Sequence, residues 1–439
     1  MAFMPVIDLS GINSAKPVNR NLISTLALIL GIQLLGLSYY LWFLSRHGYL
    51  PSPFYYVKGA VLLDFFGPLF WSDTNGIYAA GSFYPPLSFL FLKLVKLVFV
   101  GGATYSDSFA LRESGTFAIL FFLISYLIAP IFVIRTKLWN GFNSTEKTLL
   151  YFVIIISTPM LFELERGNII IYTLFFLAPV LCSKGLSRVV SITVLINLKP
   201  YFAFLLFYYL IRRNWKEFWL CTLLSGTLFL ITGILVDQDF LLFFGNIFNW
   251  TQYATTLSLK EIMAMPSSIS AYSYVLDSEK IQQTKYGYFL NLHAIANSIS
   301  VIKWFVLAWV FVALYKNHNR LTDVQILAVL LVVITNLGTW VGGWTLIFYI
   351  TLLPVFLSMR FRNIYLAILL LLFAPLDVIP FAKETLGEQY SYLTNAIVEV
   401  HWTLGMGSAL KPILNFILMA TLLYEITRLP QDAENKSIA

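Results

Sequence analysis

Charged residues are scarce in this sequence. They make up 12% of its 439 residues, against about 25% in a typical soluble domain, which excludes an ordinary soluble enzyme. A disordered or fibrous protein is excluded as well, because 59% of the residues are hydrophobic and such a chain can bury a large apolar area. Apolar runs of about 20 residues recur along the chain, the length that crosses a bilayer. The sequence therefore predicts an all-α protein, a polytopic bundle of transmembrane helices.

Cysteine and histidine are also rare. Cys182 and Cys221 both lie inside apolar runs, so no disulfide framework is expected. The four histidines are scattered without the spacing of metal ligands, and we expect no metal and no cofactor. The first 20 residues are polar, which predicts no cleavable signal peptide. The net charge of +7 is interpreted as a topology signal, and nucleic acid is not an expected partner.

The apolar runs predict about 11 or 12 membrane helices, one of them broken, in a single domain over 1–439. The predicted spans are 21–44, 115–134, 148–162, 168–182, 217–236, 301–315, 321–341, 344–359, 364–381 and 412–426. Two long polar segments, 45–114 and 237–297, separate some of these spans. Within the first, the stretch 87–100 is short and contains two lysines, which favours an interfacial helix.

The stretch 189–211 allows two interpretations, because Asn197, Lys199 and Pro200 interrupt it. A single span would put one of its flanking basic clusters on the wrong side of the membrane. Two short helices meeting at Lys199–Pro200 would leave both clusters cytoplasmic, and we favour this broken pair. The clusters are Lys184 and Arg188 before the stretch, and Arg212, Arg213 and Lys216 after it. With the basic connections inside, both long polar segments are expected on the extracytoplasmic side.

The first polar segment contains the candidate general bases. Asp64 follows an apolar stretch and is surrounded by aromatic residues, Asp73 lies nine positions later, and Tyr84 opens a Tyr-Pro-Pro-Leu motif. A carboxylate in apolar company near a membrane surface is a candidate proton acceptor, and the aromatic side chains can stack on sugars. The alternative is a solvated segment in which Asp64 caps a short helix.

Two further motifs carry cations near the predicted outer face. In 163–168, Arg166 and a glycine suit binding of an anionic group at the start of the next helix, although a local ion pair of Arg166 with Glu163 or Glu165 explains the motif equally well. Lys199 at the helix break is a candidate ligand for a lipid phosphate, since ionisable residues at membrane depth are costly. If a single helix spans there, Lys199 simply extends toward the interface.

Weaker candidates lie in the second half of the chain. Trp344 in the glycine-rich segment 338–344 offers a stacking surface, or belongs to an interfacial aromatic belt. Asp377, between two prolines, could orient a substrate hydroxyl or close a hydrogen bond at a helix break. His293 could contact a phosphate or be an ordinary surface histidine.

The order of these motifs resembles the GT-C class of integral-membrane glycosyltransferases. Over about 64–215 the chain is similar to the bacterial polyprenyl-phosphate-mannose-dependent mannosyltransferase family. The motifs that carry this resemblance are Asp64 in the first outside segment, Tyr84-Pro85-Pro86-Leu87, Glu165-Arg166-Gly167-Asn168, Leu198-Lys199-Pro200 and Arg212-Arg213-Asn214-Trp215. The remainder matches less specifically.

The resemblance implies a hexosyl donor carried on a polyprenyl monophosphate, a glycan or glycolipid acceptor, and inversion at the anomeric carbon, at the extracytoplasmic face of a bacterial inner membrane. It implies that an aspartate of the first outside segment is the base. Asp64 matches that position best, and Asp73 competes because Tyr78 follows it closely. The residues expected to bind substrate are Tyr84, Glu165, Arg166, Asn168, Lys199, Trp344, Asp377 and His293.

Two alternatives to this enzyme remain open on the sequence alone. A transporter of lipid-linked oligosaccharides would also have many helices and a buried lysine. A polysaccharide polymerase would also have large outside segments, and would act on diphosphate-linked units.

Overall fold

A computed structural model describes residues 21–74, 76–254, 262–264, 266–277, 282, 291–337, 342–394 and 396–428. The protein is mostly helical. The helices of the first half are α1 (Asn21–His47), α2 (Leu63–Trp71), α3 (Pro86–Phe99), α4 (Ser108–Ser114), α5 (Thr116–Ile134), α6 (Ser144–Ile155), α7 (Thr158–Arg166), α8 (Leu174–Cys182), α9 (Leu186–Leu198), α10 (Leu206–Ile211) and α11 (Trp215–Val236).

The second half begins with α12 (Leu242–Ala254) and α13 (Ser270–Asp277) in the second polar segment. It continues with α14 (Leu292–Asn317), α15 (Asp323–Leu337), α16 (Phe348–Ser358), α17 (Arg362–Phe373), the strands β1 (Pro380–Tyr390) and β2 (Ile397–Gly405), and α18 (Met406–Arg428). In the predicted segment 237–297, residues 255–261, 265, 278–281 and 283–290 lie outside the described residues.

Five of the described helices are long and apolar enough to cross a membrane. They are α1, α5, α11, α14 and α18, and the pair α6–α7, bent by 52°, makes a sixth if it is counted as one span. The other predicted spans are helical but shorter, because prolines, glycines and polar residues interrupt them. A helix of 13 residues, such as α9, is about 20 Å long, less than the roughly 30 Å core of a bilayer.

The stretch 189–211 is broken at Lys199, as predicted. α9 ends at Leu198, a 3₁₀ turn covers Pro200–Leu205, and α10 follows. The two outer ends of this pair lie together, because Arg188 and Arg212 both pair with Asp323 at the start of α15, at 3.0 and 2.9 Å. Both flanking clusters are therefore at the same end of the helical bundle.

The predicted interfacial stretch 87–100 is helix α3. Its buried side contains Phe89 and Leu92, whereas Leu97 and Val98 are exposed. An apolar side that no other part of the described chain covers suits contact with lipid.

The prediction of an all-α chain is wrong between α17 and α18. The predicted span 364–381 ends as a helix at Phe373, because Pro375 cannot continue it. β1 and β2 then form an antiparallel hairpin in which Thr385 is opposite His401.

This hairpin packs against the chain that follows α1. The Tyr392 backbone amide donates to the Gly48 carbonyl at 2.7 Å, and the Tyr392 hydroxyl donates to the Tyr55 carbonyl at 2.6 Å. The Gly405 amide donates to the Ser52 hydroxyl at 3.2 Å. The last third of the chain thereby fixes the start of the first polar segment, and with it the approach to Asp64.

Candidate active site

Asp64 lies in the first turn of α2 and is followed there by the aromatic residues Phe65 and Phe66. Both of its carboxylate oxygens accept hydrogen bonds: one from the Arg166 guanidinium, and the other from the Asn168 amide at 3.1 Å. The side chain of Asp64 is 17% exposed and that of Arg166 11%. The carboxylate is therefore held in a fixed orientation and still reachable from outside.

The backbone joins the same two segments. The Leu62 amide, just before α2, donates to the Glu165 carbonyl at 2.7 Å. Leu62 is in the left-handed conformation at φ 56°, a costly one for a branched residue. Strain of this kind is found mainly at functional sites.

Gly167 ends α7 and lets the chain turn toward Asn168. Its φ is +70°, a conformation that favours glycine at a helix C-terminus, and its amide donates to the Glu163 carbonyl at 2.8 Å. A Cβ atom at this position would lie 3.0–3.1 Å from Leu62 and Phe65. The glycine thus permits both the turn and the close packing of α7 on α2.

Arg166 is held on three sides. One guanidinium nitrogen donates to the Ala60 carbonyl at 3.1 Å, another contacts Asp64, and the guanidinium carbon lies 4.2 Å from the centroid of the Tyr55 ring. The predicted local ion pair with Glu163 or Glu165 does not form in the part of the chain that the structure describes. Arg166 pairs with Asp64 instead.

Lys199 reaches the same site from the helix break. Its ammonium lies 4.1 Å from the centroid of the Tyr84 ring, and it interacts electrostatically with Asp64 and Glu163. The Ser88 hydroxyl donates to the Leu198 carbonyl at 2.8 Å, which joins the start of α3 to the break. Burial, and then the negative charge of Asp64, raise the pKa of the Tyr84 phenol, so the phenol stays neutral.

Two buried acids complete the cluster. Glu165 is one of the predicted residues, and Glu163 had been considered only as an ion-pair partner. Their side chains are buried, and neither carboxylate makes a hydrogen bond to any residue that the structure describes. Tyr55 is a further member that no feature of the sequence singles out, since a residue more than 300 positions away holds its backbone.

Asp73, the competing candidate base, is outside this cluster. It pairs with Lys96 at 2.6 Å and its side chain is 45% exposed. It lies two residues beyond the C-terminus of α2, whereas Asp64 lies in the first turn of that helix. The structure therefore brings Asp64, and not Asp73, to the predicted cations.

Trp344 contacts Phe162, the residue that precedes Glu163 in α7. Its ring stacks on that of Phe162 in α7, with centroids 5.7 Å apart and planes 3° apart. Residues 338–341 of the same motif lie outside the described residues.

The last two candidates lie elsewhere. Asp377 forms a fully buried ion pair with Lys411 of α18 and accepts from the Ser408 hydroxyl at 3.2 Å. His293 is 68% exposed and contacts Asp277 at 2.6 Å. In the described structure neither residue has a contact with Asp64, Arg166 or Lys199, so their predicted part in substrate binding finds no support in the geometry.

The cluster thus combines one reachable carboxylate, two buried acids, two cations and the rings of Tyr55 and Tyr84. Such a set can accept a proton and hold an anionic group. Over the described ranges no group of three or more His, Cys, Asp or Glu could hold a metal ion. Comparisons of this chain with protein-family models, with curated proteins and with solved structures give no match.

Proposed function

We propose that this protein is a polytopic membrane glycosyltransferase of the inverting type. It transfers a hexose, mannose or glucose, from a polyprenyl-monophosphate donor to a lipid- or glycan-linked acceptor at the extracytoplasmic face. The observation that carries the proposal is the pairing of Arg166 with Asp64 at a partly open site, near which Lys199, from a third segment, lies against the Tyr84 ring.

Four groups of the site have a part in the proposed reaction. Asp64 takes the proton from the acceptor hydroxyl as its oxygen forms a bond to C1 of the sugar. The bond from C1 to the phosphate oxygen breaks, and the polyprenyl phosphate leaves with both bonding electrons. Lys199 and Arg166 stabilise the charge that grows on the departing phosphate. Tyr84 keeps the Lys199 ammonium in place through its ring.

The sidedness of the proposal rests on two observations. Arg188 and Arg212 mark the basic end of the broken pair, which the positive-inside rule assigns to the cytoplasm. Lys199 is at the other end of α9 from Arg188, about 17 Å away by the helical rise. On this basis we propose that the cluster around Asp64 faces the outer side.

Replacement of Asp64 tests the proposal. We expect Asp64→Asn to lower transfer from polyprenyl-phosphate mannose or glucose by about 10²–10⁴-fold, the usual contribution of a general base. Asp73→Asn is the matched control, and we expect it to keep most of the activity. Transfer at the normal rate by Asp64→Asn contradicts the mechanism.

The choice of donor separates the alternatives. Turnover in detergent with the monophosphate donor, and none with the diphosphate donor, distinguishes this enzyme from a polymerase. Failure to turn over any of the mannosyl, glucosyl, galactosyl and arabinosyl phosphate donors, together with transport of a lipid-linked sugar in vesicles, would favour a transporter.

A further inference from the structure

A groove lies near the opposite end of the bundle, between α10, the start of α11 and the end of α14. Its volume is about 400 Å³, and its lining is apolar and aromatic except for one arginine. The walls include Phe207 and Phe311, whose ring centroids are 4.2 Å apart. Trp215 and Tyr315 at the rim are 57% and 49% exposed. The groove is therefore open to the surroundings of the helices.

The arginine is Arg213, and its backbone is unusual. It has φ 55°, in the left-handed region where the residue that follows a helix is normally glycine. Its amide donates to the Leu210 carbonyl at 3.1 Å, and the next amide, of Asn214, donates to the Tyr209 carbonyl at 2.8 Å. A glycine would close this turn without strain. A strained arginine at such a position suggests that its side chain has a function.

The Arg213 side chain is directed into the groove. One guanidinium nitrogen donates to the Tyr315 hydroxyl at 2.8 Å, and the guanidinium carbon lies 5.2 Å from the centroid of the same ring. No carboxylate within the described ranges forms an ion pair with it. The neighbouring Arg212, in contrast, forms an ion pair with Asp323 at 2.9 Å.

We propose that this groove binds an anionic diacyl phospholipid of the surrounding membrane. Its phosphate would contact Arg213, and its chains would lie against Phe207 and Phe311. Three features support this occupant. The groove is at the basic end of apolar helices, its single charge is complementary to a phosphate, and its aromatic rim is of the kind found at head-group level. The site is separate from the Asp64 cluster and does not depend on glycosyl transfer.

Native mass spectrometry of the full chain in detergent tests the proposal. Phosphatidylglycerol and phosphatidylcholine with identical chains are titrated against the wild type, Arg213→Gln and Arg135→Gln. Arg135 is an exposed arginine outside the groove and is the matched control. We expect the wild type to prefer phosphatidylglycerol, Arg213→Gln to lose about fivefold in its affinity, and Arg135→Gln to behave as the wild type. A fivefold loss corresponds to about 1 kcal/mol, the usual contribution of one basic residue near a lipid surface.

Three results would overturn the proposal. They are equal affinity for the two lipids, unchanged phosphatidylglycerol binding by Arg213→Gln, and displacement of the lipid by inorganic phosphate at millimolar concentration, which would mean that the apolar groove adds nothing. The variant Arg213→Gly distinguishes a loss of lipid binding from a loss of folding. Because glycine suits the turn, this variant should keep its melting temperature in lipid-free detergent and still lose the lipid preference.

Discussion

The Arg166 guanidinium donates a hydrogen bond to the Asp64 carboxylate, although the two residues are 102 positions apart in the sequence. The same guanidinium also donates to the Ala60 carbonyl at 3.1 Å. Arg166 therefore both orients the candidate base and fixes the backbone that leads into α2. The planar fork of arginine can hold two acceptors at defined angles, which a lysine ammonium does not reproduce.

We expect Arg166→Lys to lower the transfer rate by about 10- to 100-fold, in line with the 1.5–3 kcal/mol of a hydrogen bond to a charged group. Initial rates with polyprenyl-phosphate mannose measure the effect. Arg112→Lys is the control, because Arg112 donates to the Gly59 and Val61 carbonyls at 2.9 and 2.7 Å but not to Asp64. Equal losses in the two variants would show that Arg166 acts only by supporting the backbone.

The contact between Tyr84 and Lys199 predicts a difference between two substitutions. Tyr84→Phe keeps a ring near the ammonium, whereas Tyr84→Leu removes it. We expect Tyr84→Leu to raise the donor KM by about three- to tenfold, within the range of a buried cation–π contact, and Tyr84→Phe to change it little. A KM that rises equally in both variants would assign the effect to the lost hydroxyl.

The raised pKa of Tyr84 has a consequence for the pH profile of the same reaction. A phenol whose pKa is raised above its usual value of about 10 remains protonated through the neutral and mildly alkaline range. We therefore expect wild type and Tyr84→Phe to have the same alkaline limb up to about pH 10. A loss of activity below about pH 10 in the wild type that is absent from Tyr84→Phe would show that this phenol titrates in that range.

The packing at Gly167 predicts a loss of stability on substitution. Gly167→Ala adds a Cβ at 3.0–3.1 Å from Leu62 and Phe65 in a left-handed turn. Gly101→Ala is the matched control, since Gly101 also has a positive φ, of +82°, but nothing lies within 4 Å of its added Cβ. The control should lose about 1 kcal/mol, and Gly167→Ala should lose more and displace Asn168. Melting temperatures in detergent compare them, and equal shifts would show that the contact with α2 has no cost.

The ion pair of Asp377 and Lys411 is completely buried, so removal of one partner leaves an uncompensated charge. We expect Lys411→Met to lower the free energy of unfolding by about 3–5 kcal/mol, and the double variant with Asp377→Asn to recover much of this loss. Asp73→Asn breaks a pair in which Lys96 is buried but Asp73 is 45% exposed, and we expect it to cost less than Lys411→Met because water still reaches one partner. A Lys411→Met variant as stable as the wild type would contradict the assigned burial.

The sequence predicted the parts of the fold that depend on local pattern. The apolar runs gave helices at nearly all predicted positions, and the break at Lys199–Pro200 followed from a proline and two polar residues within an apolar stretch. The predicted bounds were less accurate. Leu292–Asn317 and Met406–Arg428 are longer than the predicted spans 301–315 and 412–426, whereas the predicted span 364–381 ends as a helix at Phe373, because hydropathy does not show that Pro375 interrupts the run. The hairpin of β1 and β2 was missed. In β2 the apolar residues Val398, Val400, Trp402 and Leu404 alternate with polar ones, which is a strand signal, but β1 has no such regular alternation.

The residues of the site were predicted in part, because the sequence shows residue types but not tertiary contacts. Asp64, Arg166, Asn168 and Lys199 stand out because polar residues are rare in apolar surroundings. Which of them meet is a property of the tertiary structure, so the pairing of Arg166 with Asp64 rather than with Glu165 could not be read from spacing. Asp377 and His293 have equally prominent residue types, but their partners, Lys411 and Asp277, are contributed by other helices.

The hydrogen bond from Tyr392 to the Tyr55 carbonyl joins residues 337 positions apart, and this has a consequence for biosynthesis. A chain that emerges from the ribosome N-terminus first presents the Asp64 segment long before Tyr392 exists. The first polar segment therefore lacks this contact until the hairpin has been synthesised. Assembly of the site is then a late event, and truncated chains that still contain every member of the Asp64 cluster would lack the contact that holds Tyr55 over Arg166.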